Sequence, residues 1–528
     1  MKQQILIYDT TLRDGTQGEQ ISFSAEEKLR IAQKLAELGV HYIEGGWPGS
    51  NPKDMRFFQM AKKATVAPAR LTAFGSTRRA NTAAQKDSNL EALLKAGTET
   101  ITIFGKSWDL HVTEILDISL EENLAMILDS VSLLKVNNKE VIYDAEHFFD
   151  GYRANPDYAL KTIQAAITGQ ADFIVLCDTN GGTMFSDVKY IVQTVTKSFP
   201  RTPLGIHAHN DCGLAVANSL AAVEAGATLV QGTINGYGER CGNADLISII
   251  GNLQLKLGRQ CLEESKIRHL TEVSRYVSDI ANIPPLNERP FVGRSAFSHK
   301  GGVHVSAILK EPRAYEHIEP GTVGNKRRVL VSDLSGRSNI EYKAKEMDLA
   351  LGGNGYDSRK IVEEIKRMED RGYQFDAAEG SLELLIKRAT GQFKVPFSLL
   401  SLRVINEKNK EGHVISQATI KISVGEEEEI TAAEGNGPVN AIDNALRKAL
   451  SKFYPTIREM RLVDFKVRVL EGSAGTGARV RVLIESRDGK DIWNTVGVSE
   501  NIIEASWQAL VDSIYFKLSK DEKPEQAA

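Results

Sequence analysis

His207 and His209 stand two residues apart in the run Leu204–Asp211, LGIHAHND. The run is apolar until its end and reads as a strand, where side chains at i and i+2 share one face. Two imidazoles side by side can hold one divalent cation, and Asn210 and Asp211 place the pair where the strand stops. Alone, such a pair is more often two satisfied polar residues than a metal site. A catalytic site also needs an anionic oxygen beside the nitrogens and positions left open for substrate. Asp14, in DTTLRDGTQ, offers the carboxylate, and Asn243, in GYGERCGN, offers a neutral oxygen. Singly, Asp14 reads as a turn residue before Gly15 and Asn243 as a helix N-cap. Two nitrogens and two oxygens suit Mn2+, Mg2+, Zn2+ or Co2+ without choosing among them. Arg13, next to Asp14, brings a fixed positive charge able to stabilise an oxyanion or enolate, or to pair with Asp9, Glu44 or Glu239. Thr179, in CDTNGG, can donate to a carboxylate, and Glu146 can hold or activate a base.

Scattered residues of this kind need a frame that gathers them. Short β-branched runs recur at Ile5–Tyr8, Tyr42–Glu44, Leu71–Phe74, Thr100–Phe104, Val141–Tyr143, Phe173–Cys177, Leu204–Ala208 and Leu229–Thr233. Helical patterns lie between them, among them Ala25–Leu38, stopped by Gly39, and Leu214–Ala225, stopped by Gly226. Eight strand–helix units predict right-handed crossovers and a parallel (β/α)8 TIM barrel over residues 1–285. A doubly wound open sheet would want a glycine-rich phosphate loop after an early strand, and none is present. Barrel chemistry gathers at the C-terminal strand ends. Nearly every run here ends in polar residues, including Asp144 with Glu146 after the fifth. In a closed barrel the eighth strand neighbours the first and seventh, so Asp14, the two histidines and Asn243 converge.

Residues 286–388 lose this rhythm and read as mostly helical bridging subdomains. Within them SHKGGVH (Ser298–His304) is expected as a glycine-containing loop able to lean over the barrel mouth. Residues 389–520 state a strand–helix pattern twice, an α+β domain. Glu426–Glu429 is expected at a solvated hairpin tip, and residues 521–528 as a frayed tail.

The chain of 528 residues is 42% hydrophobic and 25% charged, with net charge −4. No field favours nucleic acid or an anionic membrane surface. No apolar run reaches the roughly 18–20 residues of a membrane span, and the N-terminus has no signal-peptide pattern, so a cytoplasmic protein is expected. The four cysteines form no C-x-x-C pair. Cys177 and Cys212 flank strand-end polar residues, where a catalytic thiol is conceivable. Small buried residues in a reducing compartment are the simpler account.

Together DTTLRDGTQ, HAHND and NGYGERCGN resemble the signatures of the 2-isopropylmalate, homocitrate and citramalate synthase family. The resemblance continues through AFSHKGGVHVSAI, SDLSGRSN and TAAEGNGPVNA, and so covers nearly the whole chain. It implies condensation of acetyl-CoA with a 2-keto acid, followed by thioester hydrolysis. It implies Asp14, His207 and His209 as metal ligands with Asn243 as a fourth or outer one. By the same resemblance Arg13 steadies the polarised oxygen and Thr179 holds the keto-acid carboxylate, with Asp144 among the substrate-binding residues. His304, partnered by Glu146, takes a methyl proton from acetyl-CoA, and Tyr315 lies near that base. The family often follows this histidine with Gln-Asp or Ala-Asp, and here Val305–Ser306 stand instead. Ile101 and Ile103 are expected to wall a small apolar pocket, which favours pyruvate as acceptor on a route to isoleucine. The C-terminal domain would then sense isoleucine and support a homodimer. 2-Ketoisovalerate as acceptor, an acyl-CoA carbon–carbon lyase on the same barrel, and an inactive amino-acid-sensing scaffold are the alternatives.

Overall fold

The computed structural model describes residues 4–349, 358–408, 410–470, 472–489 and 491–521. Two compact units emerge, Met1–Phe297 with Ile318–Lys326, and Ser298–His317 with Arg327–Ala528.

The first unit is a closed parallel barrel of eight strands in chain order. They are β1 (Leu6–Asp9), β2 (Tyr42–Gly46), β3 (Arg70–Ser76), β4 (Thr100–Lys106), β5 (Glu140–Glu146), β6 (Phe173–Asp178), β7 (Leu204–Ala208) and β8 (Leu229–Gly232). β1 closes the ring against β8, with Leu6 opposite Leu229 and Asp9 opposite Gly232. Strand alternation divides the side chains into two cores. Tyr8, Tyr42, Ile142, Val175, Cys177 and Leu229 fill the barrel interior. Ile7, Ile43, Ile101, Ile103, Val141, Ile174, Leu176 and Ile206 pack outward, with Leu35, Leu90, Ile127 and Ile163 of the helix layer. The helix Ala25–Leu38 starts at a capping box of Ser24 and Glu27 and ends at Gly39 in the left-handed region. The helix expected at Leu214–Ala225 spans Ala215–Glu224.

In the second unit, Ser298–His299 pairs in parallel with Arg328–Val329, and Gly302–Lys310 is a helix. SHKGGVH is therefore not a loop: it is a short strand and the first turn of a helix, and His304 sits in that turn. Further on, the helices Arg337–Glu346, Ser358–Asp370 and Glu379–Ala389 carry the bridging region. Two three-stranded antiparallel sheets follow. Ser398–Lys408, Val414–Val424 and Glu427–Gly435 form the first, followed by the helix Pro438–Leu450. Arg461–Val469, Val480–Arg487 and Ile492–Ser499 form the second, followed by Ile502–Asp521. One core holds Ala418, Ile420, Ile442 and Leu446 of the first module with Val482, Ile484, Leu510 and Ile514 of the second. The other face of the second sheet, through Val496 and Val498, packs on Ile361, Ile365 and Leu382 of the bridging helices.

Two smaller expectations need correction. Only Glu426 of the acidic run lies in the turn. Glu427–Gly435 is strand, where Glu428 pairs with Lys421 at 2.6 Å and Glu429 with Lys452 at 2.9 Å. All four cysteines are free, but Cys212 and Cys241 are exposed rather than buried. Of the tail, Asp521 closes the last helix and residues 522–528 lie outside those described. Among the described residues, no helix is long and apolar enough to cross a membrane.

Candidate metal centre at the barrel mouth

Asp14 opens a short 3-10 turn after β1, His207 is the fourth residue of β7, and His209 follows that strand. Their donor atoms meet. Asp14 Oδ2 lies 3.2 Å from His207 Nε2 and 3.9 Å from His209 Nε2, and the two Nε2 atoms are 3.3 Å apart. Bonds of about 2.0–2.2 Å to one cation place adjacent donors roughly 3.0–3.6 Å apart, a range that holds two of these separations, with the third, 3.9 Å, slightly beyond it. All three residues are buried, and among the described residues they are the one such cluster of histidine, cysteine and acid side chains. Burial opposes the charge on Asp14, but Arg13 and His207 outweigh it and hold the carboxyl far below the usual range. Burial pulls His209 down to about 4, with His207 adding to the effect, which keeps this imidazole neutral and able to ligate.

Asn243 adjoins this cluster. Its segment runs beside the end of β7, with His209 and Asn243 bridged and Ala244 N–H donating to Ala208 O at 2.9 Å. The glycines around it are forced. Gly238 has φ +152°, and a Cβ there would meet Asn243 Nδ2 at 2.2 Å; Gly242 has φ +91°, and a Cβ would meet Gly236 O at 2.0 Å. Asn243 Nδ2 donates to Tyr237 O at 3.2 Å, while its buried Oδ1 has no partner. A buried, unsatisfied carbonyl oxygen beside an aspartate and two histidines suits a cation ligand. His207 is oriented from behind. Its Nδ1 lies 2.7 Å from Gln231 Oε1, and Gln231 Nε2 donates to Asp144 Oδ1 at 3.0 Å. Burial and then the Glu44 carboxylate push Asp144 up to about 7, against His207, Arg13 and the Gln231 amide. Gln231 escaped the sequence reading. Its signal was a glutamine in the middle of an apolar strand, LVQG.

Arg13 is pinned rather than free. Nε donates to Glu44 Oε1 at 2.5 Å, Nη1 lies 3.4 Å from Asp14 Oδ2, and the guanidinium carbon stands 3.7 Å above the Phe74 ring. Burial works against its charge, but Asp14 and Glu44 raise its pKa further. Glu44 also accepts from Tyr8 and from Thr10 Oγ1. Of the three acids that Arg13 was expected to pair with, Glu44 is the one it meets. The pocket wall differs from the expectation. Ile101 and Ile103 are fully buried in the outer core with the helix layer and do not line the cavity. Strand parity puts Thr102 and Phe104 on the inner face instead, and Thr102 Oγ1 lies 2.8 Å from Tyr8 OH inside the barrel. The wall is Trp47, Phe74 and Phe104, each ring 5.5–5.8 Å from the next. Trp47 Nε1 donates to Asn89 Oδ1 at 2.6 Å and is locked in place. This cavity, of about 200 Å3, also takes in Asp14, Asp144, Glu146, Thr179, His207 and His209.

Thr179 Oγ1 accepts from His147 N–H at 2.9 Å, which leaves its own proton free to donate. Arg240, also unforeseen, ties Thr179 O at 2.7 Å to Asp211 at 2.8 and 3.0 Å. Glu146 forms an ion pair with Lys106. Cys177 lines the cavity, and burial, followed by Asp144 and Glu146, raises its thiol well above the usual value. A thiolate there is disfavoured. His304 and Tyr315 lie in the second unit, their rings stacked at 4.3 Å.

A closed parallel barrel whose mouth converges one carboxylate and two imidazoles defines a class, the HMGL-like barrels, and that family model matches residues 4–277. The homocitrate synthase post-HMGL domain-like model matches residues 291–373, and the LeuA allosteric (dimerisation) domain matches 376–518. The (R)-citramalate synthase of Geobacter sulfurreducens is 58% identical over 522 residues, covering 99% of both chains. That of Aquifex aeolicus is 56% identical over 524 residues, again 99% of both. The 2-isopropylmalate synthase of Methanocaldococcus jannaschii is 32% identical, covering 98% of this chain and 96% of its own. The chain belongs to the (R)-citramalate synthase family.

Proposed function

We propose that this chain condenses acetyl-CoA with pyruvate to give (R)-citramalate and free CoA. The observation that carries the reading is the buried Asp14–His207–His209 cluster opening on a cavity of about 200 Å3 walled by three aromatic rings. Such a wall suits a short 2-keto acid and crowds a branched one. Identity of 56–58% to (R)-citramalate synthases over nearly the full chain, against 32% to a 2-isopropylmalate synthase, agrees.

Asp14, His207 and His209, with Asn243, would hold a divalent cation, which when bound polarises the acceptor carbonyl as a Lewis acid. Mn2+, Mg2+, Zn2+ and Co2+ all fit this donor set. Arg13, rigid between Glu44 and Phe74, faces the oxygen that gains charge as the carbon–carbon bond forms. Thr179 donates its free proton to the acceptor carboxylate. His304, with Tyr315 against it, takes the proton from the thioester methyl group, and Glu146 supports that base. The carbanion bonds to the keto carbon, the resulting alkoxide takes up a proton, and water then cleaves the thioester to release CoA. The reading places a homodimer in the cytoplasm, joined through the C-terminal domain, with isoleucine as its effector. Isothermal titration with isoleucine and with leucine tests the last point, and no heat from either would remove it.

Released CoA, measured with pyruvate and with 2-ketoisovalerate at equal concentration, tests the acceptor. Pyruvate is expected to be strongly preferred. Preference for the branched acid would overturn the assignment, and CoA release without any keto acid would point to other acyl-CoA chemistry.

A further inference from the structure

We propose that Asp144 and Gln231 are positioning residues that fix which nitrogen of His207 faces the cation site. The proposal rests on the reading of Asp14, His207 and His209 as that site. Asp144 Oδ1 accepts the Gln231 Nε2–H at 3.0 Å, and in its ionised form this carboxylate can only accept. The amide oxygen is thereby turned to His207 Nδ1, at 2.7 Å, and an acceptor there requires a proton on Nδ1. A neutral imidazole then carries its lone pair at Nε2. That nitrogen lies 3.2 Å from Asp14 Oδ2 and 3.3 Å from His209 Nε2. A cation needs this lone pair, whereas the other tautomer would turn an N–H toward it. The three side chains lie on β5, β8 and β7, at 3%, 0% and 4% exposure, so solvent does not substitute for any member. The amide also spares the site a second carboxylate: Gln231 passes on the orientation set by Asp144 without its charge.

Order along the chain, not simple filling of space, is the claim, and it can be reversed and restored. In Asp144→Asn the new amide can show Gln231 either edge, so the polarity is no longer fixed. In Gln231→Glu the acceptor for His207 remains, but two carboxylates press together. In the double variant D144N/Q231E an amide N–H donates to a carboxylate that accepts from His207, with the original order and the original charge. The readout is Mn2+ affinity of the metal-stripped full-length protein, measured by competition with a chelator, with circular dichroism to check the fold. Each single variant is expected to bind Mn2+ about ten- to a hundredfold more weakly, and the double variant to return to within about threefold of the unmodified protein. Single variants that bind normally, or a double variant no better than the singles, would overturn the relay. Unmodified protein that binds no Mn2+ would overturn the cation site beneath it, and the keto-acid preference would still stand or fall on its own assay. Should the variants not fold, 15N spectra of the metal-free, histidine-labelled protein decide, taken at alkaline pH because, against burial, Asp14 raises the His207 pKa. The His207 signal, assigned by its loss in His207→Asn, is expected to show the Nδ1–H tautomer, and the Nε2–H tautomer overturns the proposal.

Discussion

At the scale of single residues, the site works by burying charges that would be costly apart. His207 is the sharpest case, since it touches Asp14, His209 and Gln231 at once. Removing its imidazole leaves a carboxylate, one histidine and the neutral Asn243 oxygen, a weak set with which to hold a cation against water. For His207→Ala, Mn2+ stoichiometry by metal analysis is expected to fall to near zero and CoA release to drop by on the order of a hundredfold or more. Unchanged metal content and turnover would refute the cation site. Phe104 is the corresponding residue for selectivity. It stacks on Phe74 at 5.5 Å and stands edge-on to Trp47 at 5.6 Å. Phe104→Leu removes ring area from the wall without adding charge, and one or two extra methyl groups in an apolar pocket are worth about 1–3 kcal/mol. The ratio of kcat/KM for 2-ketobutyrate over pyruvate is expected to rise by roughly tenfold. An unchanged ratio would move the acceptor away from this wall.

The type and spacing of these residues were largely legible in the sequence, because a H-x-H pair on a strand has only one geometry. Asp14, His207 and His209 reach one point, and the Asn243 backbone bridges His209. The pocket wall was misread for a reason equally physical. In TITIF both the isoleucines and their neighbours are compatible with burial, and composition alone does not reveal which set faces the barrel axis. The partner of Thr102 settles it: the hydroxyl of Tyr8 lies inside the barrel.

At the scale of elements, the loop after β8 does the least visible work. Residues 235–243 must bring Asn243 alongside His209 and then start the helix Leu246–Leu255. The backbone turns through positive φ at Asn235, Gly236, Gly238, Arg240 and Gly242. Gly238→Ala combines a strained φ of +152° with a Cβ 2.2 Å from Asn243 Nδ2. Such strain costs about 1–3 kcal/mol, and the amide has no room to withdraw without moving its oxygen. Denaturant unfolding is expected to show that loss, and Mn2+ affinity to weaken with it. A stable variant with normal affinity would show that Asn243 takes no part. The repeated glycines in NGYGERCGN were plain in the sequence, but not what each one avoids. SHKGGVH was misjudged for the opposite reason. Its two glycines suggested a loop, while Gly301 serves as the N-cap and Gly302 as the first residue of a helix.

At the scale of the whole molecule, the C-terminal domain leaves one sheet half covered. The second three-stranded sheet packs through its middle and last strands on its own helix and on the bridging helices, while its first strand leaves Val463, Val467 and Val469 exposed. In the first sheet Ala418, Ile420 and Ile422 face the core, and the opposite side is open, with Ile405 41% and Ile430 64% exposed. The register places Ile405 opposite Gln417 and Ile430 opposite Lys421, all on that open side. An uncovered sheet face with exposed apolar residues is a surface suited to a second copy, as expected of a region that matches a dimerisation domain. Placing like charges there should separate the copies without touching either core. For Ile405→Lys/Ile430→Lys, light scattering after size exclusion is expected to give one chain's mass, 58.1 kDa, where the proposed dimer of the unmodified protein would give twice that. Because the substituted residues lie outside the barrel unit, Mn2+ binding should persist. A variant that remains a dimer would assign the joint to another surface, and one that loses Mn2+ would tie the metal centre to assembly.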